Sequence, residues 1–83
     1  MVKKEELLNH LDQVHTTPLG IKRIKKNLKL INEDAVLYCK RKILDENCYI
    51  YKKGKNWYAE VDNCKITINS YNYTIITAHK MKK

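Results

Sequence analysis

The sequence has few of the residues that interrupt a fold, and it has no long apolar run. One proline and two glycines in 83 residues make long disordered tracts unexpected. No stretch approaches the roughly 18 consecutive apolar residues of a membrane-spanning helix. The start, MVKKEELLNH, is charged where a signal peptide needs an apolar run. These absences favour a soluble cytoplasmic protein, and the length favours a single domain over residues 1–83.

Cysteine spacing and missing motifs exclude several kinds of site. Cys39, Cys48 and Cys64 are odd in number and form no CxxC or CxxxH pattern, so neither a disulfide framework nor a structural zinc site is indicated. We expect buried, reduced thiols. The chain also lacks the GxGxxG, GxxxxGK[ST], GxSxG and HExxH motifs. Neither a cofactor nor a bound metal is therefore expected.

Acidic residues are scarce, and the net charge is +8. Residues 48–83 contain seven basic and only two acidic side chains. A positive field of this size attracts polyanions and speeds their encounter. Nucleic acid, RNA before DNA, is the first candidate partner, and an acidic protein is the second. The third possibility is that the charge serves only solubility.

Three amphipathic segments precede residue 45. Thr17 is a good N-cap and Pro18 a good first residue for the second of them. Gly20 in its first turn costs helix stability, which indicates a close approach by another group. The third helix is expected to begin at Asn32. The side chains expected to face the core are Leu7, Leu8, Leu11 and Val14, then Ile21, Ile24 and Leu28, then Val36, Leu37, Ile43 and Leu44.

Beyond residue 48 the hydrophobic period changes to two. CYIYK, WYAEV, CKITIN and YTIITAHK read as strands, separated by the turn segments KGKN, DN and SYN. The pattern predicts an α+β domain, with two to three N-terminal helices packed on one face of a four-stranded antiparallel β-sheet meander. Its helical part spans about residues 3–45 and its sheet part about residues 48–80.

Alternation along these strands separates an apolar from a polar face. The expected core face carries Ile50, Trp57, Ala59, Val61, Cys64, Ile66, Ile68, Thr74, Ile76 and Ala78. The expected open face carries Tyr49, Tyr51, Tyr58, Glu60, Lys65, Thr67, Asn69, Tyr73, Ile75, Thr77 and His79. Ile75 does not fit its face and indicates a β-bulge, and a bulge that shifted the strand end would turn His79 inward.

A sheet that is covered by helices on one face, with tyrosines and basic side chains on the other, suits RNA. Aromatic rings stack on unpaired nucleobases, and lysines hold phosphates. Cleavage through the 2′-OH requires a base, an acid and cations, without a metal. The candidate catalytic residues are His79, Lys55 and Tyr58, and the candidate nucleic-acid contacts are Arg23, Lys22, Lys26, Lys65, Tyr73, Thr77 and Lys80. Binding without cleavage by the same face is the alternative.

The stretch HTTPLG permits two interpretations. His15, Thr16 and Thr17 are candidates for an anion site at a helix N-terminus. In the other interpretation the threonines only cap the helix, and His15 interacts favourably with the C-terminus of the preceding helix.

The segments HTTPLGIKRIKKNL, CKRKIL and GKNWYAEVDNCKITINSYNYTIITAHK together resemble a small bacterial family known as a domain of unknown function. The resemblance spans nearly the whole chain and implies a stand-alone bacterial domain without specifying an activity. The layout is also similar to the RelE-like and colicin-type ribonuclease toxins. That similarity implies a metal-independent site on the exposed sheet face, with His79, Lys55, Arg23 and Tyr58 as the positions to test.

Overall fold

A computed structural model describes residues 4–81 and confirms the α+β architecture. Three helices, with a short 3-10 turn at Leu11–Gln13 after the first, precede a four-stranded antiparallel sheet whose strand order follows the chain. None of the helices within residues 4–81 has the length and apolar character that crossing a bilayer demands. The helices are α1 (Lys4–Asn9), α2 (Pro18–Leu28) and α3 (Ala35–Leu44), and the strands are β1 (Tyr49–Lys53), β2 (Asn56–Val61), β3 (Cys64–Asn69) and β4 (Ile75–Lys80).

Side-chain caps set the starts of α2 and α3. The Thr17 hydroxyl accepts a hydrogen bond from the Gly20 N–H at 3.0 Å, as expected of an N-cap. Helix α3 begins later than the sequence predicted, because Asp34 and not Asn32 is its cap. The Asp34 carboxylate accepts from the Leu37 N–H at 3.0 Å, and its negative charge suits the positive end of the helix dipole.

The core lies between the helices and one face of the sheet. Trp57 is 1% exposed and anchors this core, as expected. All three cysteines are buried, and burial raises the pKa of the Cys39 thiol to about 12. A thiol held this strongly in its protonated form is a poor nucleophile. The largest fully buried side chains are Trp57, Leu7, Ile24, Ile43, Ile66, Ile68 and Ile75.

The prediction for the buried side of α3 was confirmed at Ile43 and wrong at Leu37 and Leu44, while Val36 is half-buried. The helix packs through Ala35, Cys39 and Ile43, which recur every four residues. Leu37 and Leu44 are instead 53% and 61% exposed. The small side chains at the first two buried positions allow the helix axis to approach the sheet closely, so the bulkier leucines lie on the solvent side.

A close contact at Gly20 determines which side of α2 is buried. The buried residues of this helix are Gly20, Ile24 and Leu28, whereas Ile21, which was expected in the core, is exposed. A Cβ atom at Gly20 would overlap the Thr16 hydroxyl. The close approach that the glycine indicated is therefore a contact with the chain just before its own helix.

A β-bulge interrupts the pairing of β3 with β4, as the misfit at Ile75 indicated. Thr67 and Ile68 are adjacent on β3, but their partners Thr77 and Ile75 lie two residues apart on β4. Ile76 is the extra residue. Ile75 is consequently buried and Ile76 is 43% exposed, which reverses the faces expected for these two side chains.

Candidate functional site

The side of the sheet without helices, called here the open face, carries polar and aromatic side chains in cross-strand rows. One row is Tyr49, Glu60, Lys65 and His79, and the next is Tyr51, Tyr58, Thr67 and Thr77. Directly opposed residues on neighbouring strands have their Cβ atoms roughly 5 Å apart, so each row is continuous. The bulge precedes Thr77, so His79 remains on the open face, as the alternation predicted, and does not turn inward.

Tyr49, Tyr51 and Tyr58 form a tyrosine ladder across β1 and β2. The Tyr51 ring stacks on Tyr58 with 5.2 Å between centroids and 19° between planes, and the Tyr49 centroid is also 5.2 Å from Tyr51. From the β3 side, the Lys65 ammonium lies 5.0 Å from the Tyr58 centroid. Both sides of the Tyr58 ring are therefore occupied. Tyr49, which is 64% exposed, has the most accessible ring of the ladder.

A short hydrogen bond on the open face joins Tyr51 to Glu60 and keeps the phenol of Tyr51 protonated. The Tyr51 hydroxyl donates to the Glu60 carboxylate at 2.6 Å. This bond, followed by burial, raises the pKa of Tyr51 to about 12. The phenol therefore stays neutral at physiological pH and is a weak proton donor. Glu60 also pairs with Lys65 across β2 and β3, and this acidic side chain reduces the positive potential of the open face.

The structure places two of the three candidate catalytic residues on the open face, but on strands that β3 separates. His79 is half-buried and pairs with Lys65 across β3 and β4, and its imidazole forms no hydrogen bond to any described residue. Tyr58 lies one row away on the same face. Lys55 lies in the turn before β2, five residues from Glu60, which is roughly 16 Å along the strand. Lys55 is thus far from the row that contains His79.

Three predicted nucleic-acid contacts, Lys22, Arg23 and Lys26, cluster on α2 and are called here the basic helix face. All three are exposed, and at 100° per residue they lie within one arc of the helix surface. Helix α2 contains no acidic residue, and none of these cations forms an ion pair with a described residue. Because α2 packs on the covered side of the sheet, the basic helix face and the open face lie on opposite sides of the protein.

The remaining predicted contacts are dispersed over the surface of β4 and the loop before it. Thr77 lies on the open face, whereas Lys80 pairs with Cys64 and belongs to the opposite side of the sheet. Tyr73 precedes β4 in the left-handed region at φ 58°. Its ring is stacked on His10 with 5.2 Å between centroids. Tyr73 therefore offers a nucleic-acid base less ring surface than Tyr49 does.

His15 and Thr16 hold the outer edge of β4, in an arrangement called here the edge clasp. The His15 N–H donates to the Tyr73 carbonyl at 3.1 Å, and the Ile75 N–H donates to the His15 carbonyl at 2.7 Å. His15 Nε2 lies 3.0 Å from the Thr74 hydroxyl, and the Thr16 hydroxyl donates to the Ile75 carbonyl at 2.9 Å. The clasp joins the segment before α2 to the last strand.

The three residues predicted to bind an anion thus make contacts within the protein. His15 and Thr16 take part in the edge clasp, and Thr17 caps α2. These contacts explain HTTPLG as a structural element that positions the first turn of α2. Anion binding by this stretch stays a prediction.

Strand alternation placed Tyr49, Tyr51 and Glu60 on the open face, but no functional role was expected of them. The sequence does contain a pattern that predicts contacts among these side chains. A short glycine turn joins Tyr-x-Tyr on β1 to Tyr-x-Glu on β2 and fixes the register of the two strands. Thr74 was expected on the core face and had no such signal, because its partner His15 is 59 residues away.

The sequence of the chain matches a protein-family model. A family model described as "Protein of unknown function (DUF3781)" matches residues 8–79, which include α2, α3 and the sheet up to His79. No curated protein and no solved structure matches the chain, so the similarity to RelE-like toxins stays a prediction. Since the match covers most of the 83 residues, the chain belongs to this family of proteins of unknown function.

Proposed function

We propose that this protein binds nucleic acid and that the basic helix face supplies the phosphate contacts. The observation that carries the proposal is the group of three exposed cations, Lys22, Arg23 and Lys26, on a helix without acidic residues. Cations that have no protein counter-charge are free to replace the counterions around a phosphate backbone. The protein's net charge of +8 adds long-range attraction for such a ligand.

Single-stranded RNA is the expected ligand. The open face presents the accessible Tyr49 ring and the hydroxyl of Thr77, groups that suit unpaired bases and the ribose 2′-OH. The two surfaces lie on opposite sides of the sheet, so a single strand must be long enough to pass around the edge of the sheet in order to contact both. We assign the main electrostatic contact to the helix, because Glu60 reduces the positive charge of the open face.

Fluorescence anisotropy with a labelled single-stranded RNA tests the proposal. The variant Lys22→Ala/Arg23→Ala/Lys26→Ala removes three phosphate contacts. The slope of log K against log salt should then fall by about 2 in magnitude, and affinity at 0.1 M salt should fall about 100-fold. A matched control, Lys52→Ala/Lys53→Ala/Lys55→Ala, removes the same charge from the β1–β2 hairpin, where all three side chains are exposed.

The comparison of the two triple variants decides the outcome. A much larger loss in the helix variant supports the proposal. Equal losses would attribute binding to net charge alone, and no binding by the wild type would refute the proposal. Single-stranded DNA and duplex RNA of the same length, measured in parallel, test the preference for unpaired RNA.

Metal-independent RNA cleavage is a second candidate function, favoured by the pairing of His79 with Lys65 on the open face. His79 would transfer a proton at the 2′-OH, and Lys65 would stabilise the charged phosphorane. The distance of Lys55 and Arg23 from this row argues for binding as the main activity. Incubation of RNA in EDTA with wild type, His79→Ala and the control His10→Ala tests this candidate. Cleavage that only His79→Ala abolishes would establish it, and an uncut RNA would dismiss it.

A further inference from the structure

The solvent side of α3 carries two leucines that the fold does not use. Leu37 and Leu44 are 53% and 61% exposed, while the helix packs through its opposite side. Seven residues make almost two turns, so both side chains lie on one line along the helix. We call this pair the leucine stripe. A repeated apolar side chain at this spacing is typical of a surface that receives a partner helix.

Basic groups and a cleft adjoin the leucine stripe. Arg41 is exposed, and its spacing of four from Leu37 and three from Leu44 places it between the two leucines. Lys40 is half-buried on the same helix. The cleft has a volume of about 270 Å³ and is lined by Glu33, Tyr38, Arg41, Lys42 and Asp45. Lys42 is paired with Asp62 at 2.7 Å, whereas neither Arg41 nor Lys40 forms an ion pair with a described residue, and Arg41 is the more exposed of the two.

A second copy of the chain is a poor occupant of this surface. Two α3 helices that pack in parallel through their leucine stripes place Arg41 opposite another Arg41. Antiparallel packing about the centre of the stripe places Arg41 opposite Lys40 of the second copy. Like charges opposed across an interface are unfavourable, and two molecules of net charge +8 repel each other as they approach. The complementary occupant has a negative charge at the centre.

We propose that the leucine stripe binds an amphipathic helix of another protein, which presents two apolar side chains about two turns apart and a carboxylate between them. The apolar pair covers Leu37 and Leu44, and the carboxylate pairs with Arg41. This surface is separate from the basic helix face and the open face. The proposal therefore stands or fails independently of nucleic-acid binding.

Selection from a phage-displayed library of helical peptides, with the residues on one helix side randomised, tests this proposal. Wild-type protein should enrich peptides with apolar residues seven apart and Asp or Glu between them. A synthetic peptide of that sequence should bind Leu37→Ser/Leu44→Ser at least about 10-fold more weakly. The control Ile76→Ser, which changes an exposed apolar residue on β4, should bind as the wild type does. Selection against Arg41→Glu should enrich Lys or Arg at the central position.

Three outcomes would overturn the proposal. The first is a selection that enriches no sequence, and the second is an enriched peptide whose affinity ignores the leucine substitutions. The third is a dimer in sedimentation equilibrium that dissociates in Leu37→Ser/Leu44→Ser, because a second copy would then cover the stripe. The altered leucines are exposed, so circular dichroism should confirm that these variants remain folded.

Discussion

We expect Gly20→Ala to destabilise this protein, although the same substitution stabilises an ordinary helix, because of one contact with Thr16. In an ordinary helix the substitution is stabilising, since glycine costs about 1 kcal/mol relative to alanine. Here the new Cβ would overlap the Thr16 hydroxyl and lie 3.2 Å from Thr16 Cβ. The hydroxyl must rotate away and lose its 2.9 Å hydrogen bond to the Ile75 carbonyl. Part of the edge clasp is then broken.

The magnitude follows from these two opposing effects. Leaving a partly buried carbonyl without its donor costs about 1–3 kcal/mol, and crowding against Thr16 Cβ adds to this cost. The gain in helix propensity offsets at most about 1 kcal/mol. We expect a net loss of about 1–2 kcal/mol in the free energy of unfolding, which lowers Tm by roughly 4–16 °C in a domain of this size.

A double-mutant cycle with Thr16→Ala tests the cause. Without the hydroxyl, Gly20→Ala should be neutral or stabilising by up to about 1 kcal/mol, so the two positions should be coupled by about 2 kcal/mol. Urea unfolding followed by Trp57 fluorescence provides the assay, because this single tryptophan is fully buried. An equal effect of Gly20→Ala in both backgrounds would refute the reasoning, since the clasp would then play no part.

Three further predictions concern the bulge, the tyrosine ladder and a buried thiol. Ile75→Ala should lower the free energy of unfolding by about 2–5 kcal/mol and Ile76→Ala by less than about 1 kcal/mol in urea titrations, and similar losses would contradict the bulge. Absorbance titration should show that Glu60→Gln lowers the pKa of Tyr51 from about 12 towards its ordinary 10.0. Because the pKa of Tyr51 is higher in the folded than in the unfolded protein, the stability due to this bond should be complete below pH 10 and lost between pH 10 and pH 12. A Tyr51 pKa that Glu60→Gln leaves unchanged would contradict the assignment of the shift to this bond. Iodoacetamide should modify Cys39 only when the protein opens, so labelling of the native state as fast as that of unfolded protein would contradict its burial.

The sheet was largely predictable because strand alternation is a local signal. On β2 and β3 every second side chain is apolar, and the structure buries those side chains as expected. The same rule detected the bulge through Ile75, but it contained no information on where the extra residue lies. The position of the extra residue, Ile76, is fixed by the pairing of its neighbours Ile75 and Thr77 with β3 and by the edge clasp, whose two sides are distant in the sequence.

The helices were less predictable because a short amphipathic helix contains several sets of apolar residues that could form its buried side. Helix α3 offers Leu37 and Leu44 as well as Ala35, Cys39 and Ile43, and hydrophobicity alone favours the leucines. Close packing with the sheet selects the smaller set. The candidate site was also only partly predictable. Strand alternation placed His79 on the open face, as the structure does, but the separation of Arg23 from His79 depends on how α2 packs, which alternation does not describe.

The edge clasp also affects the order in which the chain folds during synthesis. Its hydrogen bond between Thr16 and Ile75 closes a loop of 59 residues, at an entropic cost of roughly 3–4 kcal/mol. At ribosomal rates of about 5–20 residues per second, several seconds separate the appearance of its two ends. The β1–β2–β3 meander has only local pairings and is able to form in that interval. Helix α2 remains without its main partner until β4 leaves the ribosome, so the nascent chain exposes the apolar side of that helix to chaperones during this interval.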